Sequence, residues 1–364
     1  SIAAALLYRR FQAGGAPIAM VSMDNCARNG EKLRAGVLSM ARGWAERGLV
    51  ESAFLDWLED EGRVSFPWSM IDKITPHPSE RVQEELGRLG VADMAIARTN
   101  TGTLIAPFVN AEITEYLVLE DAFPNGRPAL EGAGVYLTDR TTVEKAEKMK
   151  VGTCLNPLHT ALAVYGYLLG YTSIAAEMGD ADLKALVEHI AAESLPVVED
   201  PGILSPRAFI DEVLHERFPN PAIPDTPQRI AADTSQKLPV RYGGTLRRYA
   251  RQSEQALAGL EFAPLVFAGW CRYLLGVDDR GNAMPVSPDP MLPQLQAHLK
   301  GIEVGRPDSL AGQLRPILSN AALFGVDLYA AGLGERTEEM FRDMLAGPGA
   351  VRATLHRNCV CKQP

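Results

Sequence analysis

The most constraining feature of the sequence is a change in its periodicity near residue 150. Before that point, segments with helical periodicity alternate with short apolar runs of strand length. After it, helical segments follow one another and are separated by prolines and glycines. Alternating strands and helices are typical of an α/β domain, whereas successive helices indicate an all-α domain. The sequence therefore predicts an α/β domain over 1–150 and an all-α domain over 151–364.

Within the first half, the pattern predicts helices at 3–11 and 31–48, with a turn at Asn29-Gly30 between strand and helix. Strand-like runs occupy 16–24, 63–76 (interrupted by Pro67), 104–109 and 115–119. In the second half we find no convincing strand. Its predicted helices are 157–169, 172–179, 181–194, 206–217, 226–238, 244–259, 262–275, 291–301, 307–314, 316–323 and 336–345.

Charge and cysteine content narrow the possible partners. The net charge of −9 argues against a nucleic-acid partner, which requires a basic surface. No apolar run reaches the roughly 18 residues of a transmembrane helix, so no membrane partner is expected. The five cysteines are an odd number and mostly lie far apart, which indicates free thiols in a reducing cytoplasm. Cys359 and Cys361 read as a thiol-bearing tail rather than a zinc site.

The stretch KVGTCLNPLHTALAVYGYLLGY, residues 150–171, places three polar residues before an apolar helix. Asparagine is a favoured N-cap and proline a favoured first residue, so Asn156 and Pro157 predict the start of that helix. His159 projects from the same first turn, and Lys150 lies just upstream. One hypothesis is that Lys150, Asn156 and His159 act together in catalysis. The alternative is that Asn156 only caps the helix, His159 lies at the edge of the core and Lys150 is solvated.

Two pairs of polar residues in the first half also allow either a functional or a purely structural interpretation. Asp24 and Asn25 follow a predicted strand, and doubly wound sheets bind ligands at the carboxyl ends of their strands. The alternative for this pair is an Asx-turn. Asp72 and Lys73 interrupt an apolar run, which is also consistent with a simple alternation of side chains at a strand edge.

The second half contains Arg229, Asp233 and Lys237 at successive spacings of four residues. On one helix this spacing would align the three charges along one face. A ladder of surface charges is the simplest explanation for such a pattern, and a binding site is the other.

Taken together, these stretches resemble the polyol-specific long-chain dehydrogenases, a family that includes mannitol 2-dehydrogenase, fructuronate reductase (mannonate oxidoreductase) and tagaturonate reductase. The likeness runs in collinear order over about residues 1–330. The segments that carry it are VSMDNCARNG (21–30), FPWSMIDKITP (66–76), YLVLEDAFPNGRP (116–128), HTALAVYGYLLGY (159–171) with Lys150 and Asn156, DTPQRIAADTSQKLP (225–239) and APLVFAGWCRYLLGVDDRG (263–281).

The resemblance implies a partial doubly wound dinucleotide-binding domain over 1–150 and a helical substrate domain over 151–364. It also implies NAD or NADP as cofactor, with NAD favoured, no metal, a small polyol or sugar-acid substrate, and a monomer or homodimer. The family's catalytic lysine, asparagine and histidine match Lys150, Asn156 and His159, and a further catalytic asparagine matches Asn25. The substrate-binding residues match Arg229, Lys237 and Asp72, and Asp24 and Asn25 are expected to contact the cofactor.

The chemistry implied by this family explains the residue types. Oxidation of a secondary alcohol requires a base for the hydroxyl proton while hydride leaves the carbon. A lysine can act as base only if its pKa falls from about 10.4 toward roughly 7–8, as burial and neighbouring cations would bring about. Asn25 and Asn156 would stabilise the developing alkoxide, each by about 3 kcal/mol, as oxyanion donors do. His159 would orient the substrate, and Arg229 and Lys237 would bind distal hydroxyls or a carboxylate.

The spacing of the catalytic group departs from the family pattern. The usual signature has four residues between lysine and asparagine, whereas Lys150 and Asn156 enclose five. The usual spacing would select Val151, which cannot act as a base. Either a bulge before the helix absorbs the extra residue, or Lys148 takes the role. We favour Lys150 because it is nearer.

The lack of a glycine-rich cofactor-binding turn is the second departure from the family pattern. Gly132-Ala133-Gly134 and Gly332-Leu333-Gly334 lack a third glycine at the required spacing, and neither links a strand to a helix in the first domain. The resemblance implies that this element precedes the residue matching Ser1, so the first half of the cofactor domain is expected to be absent here. The competing hypothesis is a non-catalytic helical binding or regulatory protein that has lost its cofactor-binding half.

Overall fold

A computed structural model describes residues 1–360 of the chain. The chain divides into two compact units. The first comprises residues 1–147 together with the short segment 201–203, and the second comprises the remainder of the chain. The order of elements confirms the prediction of an α/β region followed by a helical one.

Short strands alternate with helices throughout the first unit. Its helices are α1 (Ile2–Gln12), α2 (Asn29–Glu46), α3 (Ser52–Glu59), α4 (Glu80–Arg88) and α5 (Arg140–Met149), whose last two residues belong to the second unit. Its strands are β1 (Ile18–Ala19), β2 (Val64–Ser65), β3 (Ser69–Asp72), β4 (Ala97–Arg98), β5 (Leu104–Ile105), β6 (Tyr116–Glu120) and β7 (Tyr136–Thr138), with a 3₁₀ turn at Leu130–Ala133. The sequence analysis predicted α1 and α2 but did not assign α3, α4 or α5.

The strands of the first unit form three small sheets. β1 and β2 are parallel, with Ile18 opposite Val64. β6 is central in the second sheet, antiparallel to β3 and parallel to β7. β4 and β5 form an antiparallel pair. The parallel pairing of β1 with β2 is the arrangement that an α/β unit with an intervening helix requires.

The core of the first unit lies between α1, α2, α3 and β2. Phe54 and Leu58 of α3 are fully buried, as are Ala4 of α1 and Ala41 of α2. The rings of Tyr8 and Phe54 meet edge to face at 5.0 Å, a geometry that adds stability beyond the area buried. The amphipathic spacing of these residues therefore determines how the three helices pack.

In the second unit, helices follow one another, and its described residues contain no strand, only two isolated bridges. The helices are α6 (Asn156–Leu169), α7 (Ile174–Glu177), α8 (Ala181–Ser194), α9 (Pro206–Glu212), α10 (Pro227–Ile230), α11 (Thr234–Arg241), α12 (Gly243–Gln252), α13 (Glu254–Ala258), α14 (Phe262–Tyr273), α15 (Leu292–His298), α16 (Arg315–Leu318), α17 (Ala321–Phe324), α18 (Gly334–Met344) and α19 (Ala350–Cys359). Two π-helical segments, Lys150–Cys154 and Val213–Arg217, and 3₁₀ turns at Leu195–Val197 and Pro307–Ser309 complete the unit.

Two almost wholly buried helices, α6 and α14, form the centre of the second unit. The Tyr165 hydroxyl of α6 donates a hydrogen bond to the Leu265 carbonyl of α14 at 2.7 Å. A Cβ on Gly269 would lie only 2.6 Å from the Tyr165 ring, so the absence of a side chain there allows the two helices to approach closely. Helices that are apolar on all sides are expected at the centre of a helical domain.

Several predicted helices of the second half are wrong in extent. The helix predicted over 244–259 is divided into α12 and α13, and that predicted over 316–323 is divided into α16 and α17. The helix predicted over 226–238 is divided into α10 and α11, because Asp233 adopts a left-handed conformation with φ of 54° and its amide bonds to the Pro288 carbonyl. The helix predicted over 307–314 is only a 3₁₀ turn, and Gly312 has a φ of 92° that no helix accommodates.

The C-terminal segment, expected to be a thiol-bearing tail, is instead the helix α19. The Asp279 carboxylate accepts hydrogen bonds from the amides of Val351 and Arg352 in the first turn of this helix. Cys359 is buried in α19, and burial raises the pKa of its thiol to about 12. Cys361 lies outside the described residues.

Candidate active site

Lys150 is the first residue of the π-helical segment that precedes α6. The Leu155 amide bonds to the Lys150 carbonyl at 3.1 Å, the five-residue separation that defines a π-turn. One such turn takes in about one residue more than an α-turn. This bulge therefore has the length needed to absorb the fifth residue between Lys150 and Asn156.

The two candidate lysines differ in their surroundings. Lys150 is buried, with 3% of its surface exposed. The Lys148 side chain is 46% exposed, and its Nζ lies 3.9 Å from Oε1 of Glu199. Removal from water favours the neutral form of an amine. Burial therefore distinguishes Lys150 from Lys148.

Asn156 is not the N-cap of α6, contrary to the prediction. Leu155 occupies the cap position, Asn156 is the first helical residue and Pro157 the second. The Asn156 backbone carbonyl accepts hydrogen bonds from the Thr160 hydroxyl at 3.0 Å and from Nη1 of Arg241 at 3.4 Å. Its carboxamide has no hydrogen-bond partner within residues 1–360, and this group is therefore available to a ligand.

His159 lies one turn into α6 and packs against the ring of Phe218, with centroids 5.1 Å apart. Its Nε2 is 3.5 Å from Oδ2 of Asp225 but makes no hydrogen bond within the described residues. Burial lowers the pKa of His159 to about 3, and the positive charge of Arg241 acts in the same direction. The imidazole is therefore neutral near pH 7, with one donor and one acceptor nitrogen.

Arg229 and Lys237 do not share a helix face, because α10 ends at Ile230 and α11 begins at Thr234. The Arg229 guanidinium forms an ion pair with Asp225. Lys237 donates to the backbone carbonyls of Ile230, at 2.9 Å, and Ala232. The predicted charge ladder is therefore wrong, and both cations have partners within the protein.

Burial, together with the positive charges of Arg241 and Arg229, lowers the pKa of Lys237 to about 8. Asp233 and Asp289 oppose this shift. A partly neutral ammonium near pH 8 is a weaker partner for an anion than a guanidinium, which stays charged.

The sequence analysis missed two charged residues around His159. Asp225 pairs with Arg229 from four residues upstream, and Arg241 lies four residues beyond Lys237. The Arg241 guanidinium donates to the Thr160 hydroxyl at 2.6 Å and so contacts the first turn of α6. Extending the charge spacing of four residues by one step in each direction would have found both.

The loop with Asp24 and Asn25 lies in the first unit. The strand predicted over 16–24 ends at Ala19, so neither residue directly follows a strand. The carbonyls of Ser22 and Asp24 instead accept hydrogen bonds from Nδ2 of Asn29, at 3.3 and 2.9 Å. Asp24 and Asn25 are both exposed at the surface of their unit.

Asn29, predicted to form a turn with Gly30, is the first residue of α2 and organises this loop. Its carboxamide also donates to the Ser69 hydroxyl at 2.7 Å and accepts from the Ser69 amide at 3.0 Å. A Cβ on Gly30 would meet the Phe66 and Pro67 carbonyls at 2.4 and 2.6 Å. The absence of a side chain at Gly30 thus allows the start of α2 to reach the chain between β2 and β3.

Asp72 is the last residue of β3, opposite Tyr116 of β6, and is 5% exposed. Its neighbour Lys73 forms an ion pair with Glu115 at 2.7 Å. Because Lys73 already pairs with this carboxylate of the protein, Lys73 is a poor candidate for binding a substrate carboxylate.

Residues 1–360 contain neither a metal-binding cluster nor a membrane-spanning helix. No three or more histidine, cysteine, aspartate or glutamate side chains are grouped so as to hold a metal ion. None of the helices there combines the length and the apolar character needed to cross a bilayer.

Sequence similarity to known proteins extends over nearly the whole chain. The D-mannonate oxidoreductase of Thermotoga maritima is 56% identical over 354 residues, which are 97% of this chain and 65% of that protein. A mannitol 2-dehydrogenase of Phaeosphaeria nodorum is 32% identical over 93% of this chain and 54% of its own length. The chain therefore spans less than two thirds of the length of these relatives.

Solved structures and family models indicate the same family as these relatives. The Pseudomonas fluorescens mannitol 2-dehydrogenase, solved with NAD and D-mannitol, has a TM-score of 0.69 and 30% identity, covering 99% of this chain and 66% of that one. The family model for the mannitol dehydrogenase Rossmann domain matches residues 1–132, and the model for the mannitol dehydrogenase C-terminal domain matches residues 142–336. The resemblance drawn from the sequence is thus confirmed, and the chain belongs to the mannitol dehydrogenase family.

Proposed function

We propose that the chain belongs to an NAD(P)-dependent oxidoreductase that interconverts a sugar alcohol or aldonate with its ketose or ketouronate. The observation that carries the proposal is the buried Lys150, placed by a π-turn just before Asn156 and the neutral His159. The similarity to a D-mannonate oxidoreductase over 97% of the chain supports the same reaction class and favours a sugar acid as substrate.

Lys150 is the proposed general base. Its Nζ takes the proton of the substrate hydroxyl during oxidation and returns it to the new alkoxide during reduction. A positioned proton acceptor of this kind typically contributes about 10²–10⁴-fold in rate. Lys150 is buried, whereas Lys148 is half exposed and lies near Glu199.

Asn156 is the proposed oxyanion donor. A carboxamide N–H stabilises the developing alkoxide without competing for its proton, and no protein group occupies the Asn156 carboxamide in the described structure. His159 binds a neighbouring hydroxyl through its neutral imidazole. Asn25 as a second donor, and Asp72, Arg229 and Lys237 as substrate contacts, remain predictions from the family resemblance.

The first unit is the proposed second half of the dinucleotide-binding domain, with residues 1–150 in this role and 151–364 forming the helical catalytic domain. The loop after β1 suits a nicotinamide dinucleotide, because it follows the carboxyl side of a parallel strand and exposes Asp24 and Asn25. A bound nicotinamide supplies the hydride acceptor. NAD is favoured over NADP, since a structural relative was solved with NAD.

A substrate panel tests the proposal. In the protein with its complete dinucleotide-binding domain, oxidation of NADH and NADPH is followed by absorbance with fructuronate, tagaturonate and fructose, and the reverse reaction with mannonate and mannitol. We expect turnover with at least one pair, and higher kcat/KM for fructuronate than for fructose. Absence of turnover with every pair and both nicotinamides would contradict the proposal and favour a non-catalytic binding protein.

A further inference from the structure

Both cations that the sequence assigns to substrate binding are engaged within the protein. The Arg229 guanidinium pairs with Asp225, and its side chain is 65% exposed. The Lys237 ammonium is held by the carbonyls of Ile230 and Ala232, at the end of α10. Arg229 therefore already has a carboxylate partner, and two of the three Lys237 donors are used by backbone carbonyls.

Arg241 also retains unused donors, and unlike Arg229 it has no carboxylate partner among residues 1–360. Its Nη1 makes both of its hydrogen bonds, to the Thr160 hydroxyl at 2.6 Å and to the Asn156 carbonyl at 3.4 Å. Its Nε and Nη2 have no acceptor among residues 1–360, and no carboxylate of that part of the chain forms an ion pair with it. These two nitrogens form one edge of the planar guanidinium, the geometry that binds a carboxylate through two parallel hydrogen bonds.

The Nη1 contacts of Arg241 place its guanidinium beside the residues of the proposed catalytic group. Arg241 ends α11 and contacts the first turn of α6, which carries Asn156 and His159. Of the charged groups that lower the pKa of His159, Arg241 has the largest effect. The Arg241 side chain is also partly buried, and interactions between charges are stronger there than at an exposed surface.

A half-buried guanidinium without an anionic partner is unfavourable by itself, since it has lost solvation without gaining a charge pair. A ligand carboxylate compensates for this loss, whereas a neutral polyol offers only hydroxyls. We propose that Arg241 binds the terminal carboxylate of the substrate through Nε and Nη2, and so makes the site selective for sugar acids over neutral polyols. This inference rests on the proposed function and specifies its substrate class.

Three variants test the role of Arg241 in the protein with its complete dinucleotide-binding domain. Arg241→Gln removes the charge but keeps an amide donor for Thr160, and Arg241→Lys keeps the charge but removes the planar fork. Arg251→Gln is the matched control, because Arg251 is an exposed arginine on the next helix, α12. Values of kcat/KM are measured with mannonate and with mannitol, and circular dichroism checks the fold of each variant.

We expect Arg241→Gln to lower the ratio of kcat/KM for mannonate to that for mannitol by about 100-fold, as the loss of two charge-assisted hydrogen bonds predicts. Most of the change should appear in KM for mannonate. Arg241→Lys should lower the ratio by about tenfold, because a point charge replaces the fork. Arg251→Gln should leave the ratio unchanged.

Equal losses for mannonate and mannitol in Arg241→Gln would overturn the inference, because they would show that Arg241 only supports the first turn of α6. Should Arg241→Gln fail to fold, the ratio in Arg241→Lys decides in the same way. If the wild-type chain turns over neither substrate, the proposed function fails separately. Calorimetric titration with mannonate then decides: binding lost in Arg241→Gln supports the inference, and binding that is absent or unaffected overturns it.

Discussion

Lys148 and Lys150 are two residues apart in sequence but lie in different environments. Lys150 is buried at the start of the π-turn, whereas Lys148 is near Glu199 with much of its side chain in water. We expect Lys150→Ala to lower kcat by about 10²–10⁴-fold, the usual contribution of a general base. Lys148→Ala should retain most of the turnover. Steady-state assays of both variants check this, and the opposite ranking would assign the base to Lys148.

Glu177 of α7 is a second residue whose environment dictates its behaviour. It is fully buried, and neither carboxyl oxygen has a hydrogen-bond partner in the described structure. Burial raises the pKa of Glu177 to about 9, and the negative charge of Asp180 contributes. Between the unfolded pKa of about 4.5 and this value, the folded state holds a proton that the unfolded state has lost, so stability falls as pH rises.

We therefore expect Glu177→Gln to flatten the dependence of Tm on pH between about 5 and 8, because it removes a titration that costs up to about 1.4 kcal/mol per pH unit. The measurement is thermal unfolding of wild type and variant in a series of buffers. Glu188→Gln is a suitable control, since Glu188 is an exposed residue of the neighbouring helix α8. Parallel curves for wild type and Glu177→Gln would show that Glu177 is ionised in the folded protein.

Among the secondary-structure elements, the π-helical segment Lys150–Cys154 contains one residue more than an α-helical turn would. If its extra residue is absorbed in the bulge, deletion of Thr153 should convert the π-turn to an α-turn and keep Lys150 and Asn156 in the same relative phase. The Thr153 hydroxyl is buried without a partner in the described residues, so its loss removes an unfavourable group. We expect the deletion variant to remain active. Loss of activity equal to that of Lys150→Ala, with the fold intact, would show that the bulge itself is required.

Gly30 and Gly36, two of the three glycines of α2, predict opposite effects of an added methyl group. A Cβ at Gly30 would overlap the Phe66 and Pro67 carbonyls, and backbone atoms cannot move aside cheaply. Gly30→Ala should therefore destabilise the protein by about 1–3 kcal/mol, as overpacking does. Gly36 has nothing within 4 Å of its Cβ position, so Gly36→Ala should stabilise the helix by about 0.5–1 kcal/mol. Denaturant unfolding measures both, and a stabilising Gly30→Ala would contradict this packing.

Periodicity predicted many of the elements well and their interruptions poorly. The helix predicted at 181–194 coincides with α8, because its apolar face is regular and Asp180 caps it. The break between α10 and α11 was not predictable from the same signal. It depends on the left-handed conformation of Asp233 and on a hydrogen bond to Pro288, more than fifty residues away.

For the whole molecule, the order of an α/β region and a helical region followed from local patterns, but the details of the site did not. The sequence singled out Lys150, Asn156 and His159, whereas Arg241 and Asp225 emerged only from their contacts with α6 and Arg229. Such pairings depend on how distant segments pack, which a single sequence does not specify.

The proposed chemistry of the molecule uses side chains for each task that a metal performs in other alcohol dehydrogenases. Lys150 accepts the proton and Asn156 stabilises the alkoxide, so a Lewis acid has no role in the scheme. We expect prolonged dialysis against EDTA to leave kcat and KM unchanged. The control is the same sample dialysed without EDTA, and activity lost with EDTA and restored by Zn²⁺ would contradict the scheme.

The burial of the cysteines has a practical consequence. Among the four that the structure describes, Cys154, Cys271 and Cys359 are buried, and burial raises the pKa of each thiol. Cys26 is partly exposed and follows Asn25 in the loop after β1. In a Cys361→Ser variant, a maleimide dye at neutral pH should therefore attach mainly to Cys26, and its fluorescence would test the proposed binding of a nucleotide at that loop without any change to the loop's own sequence.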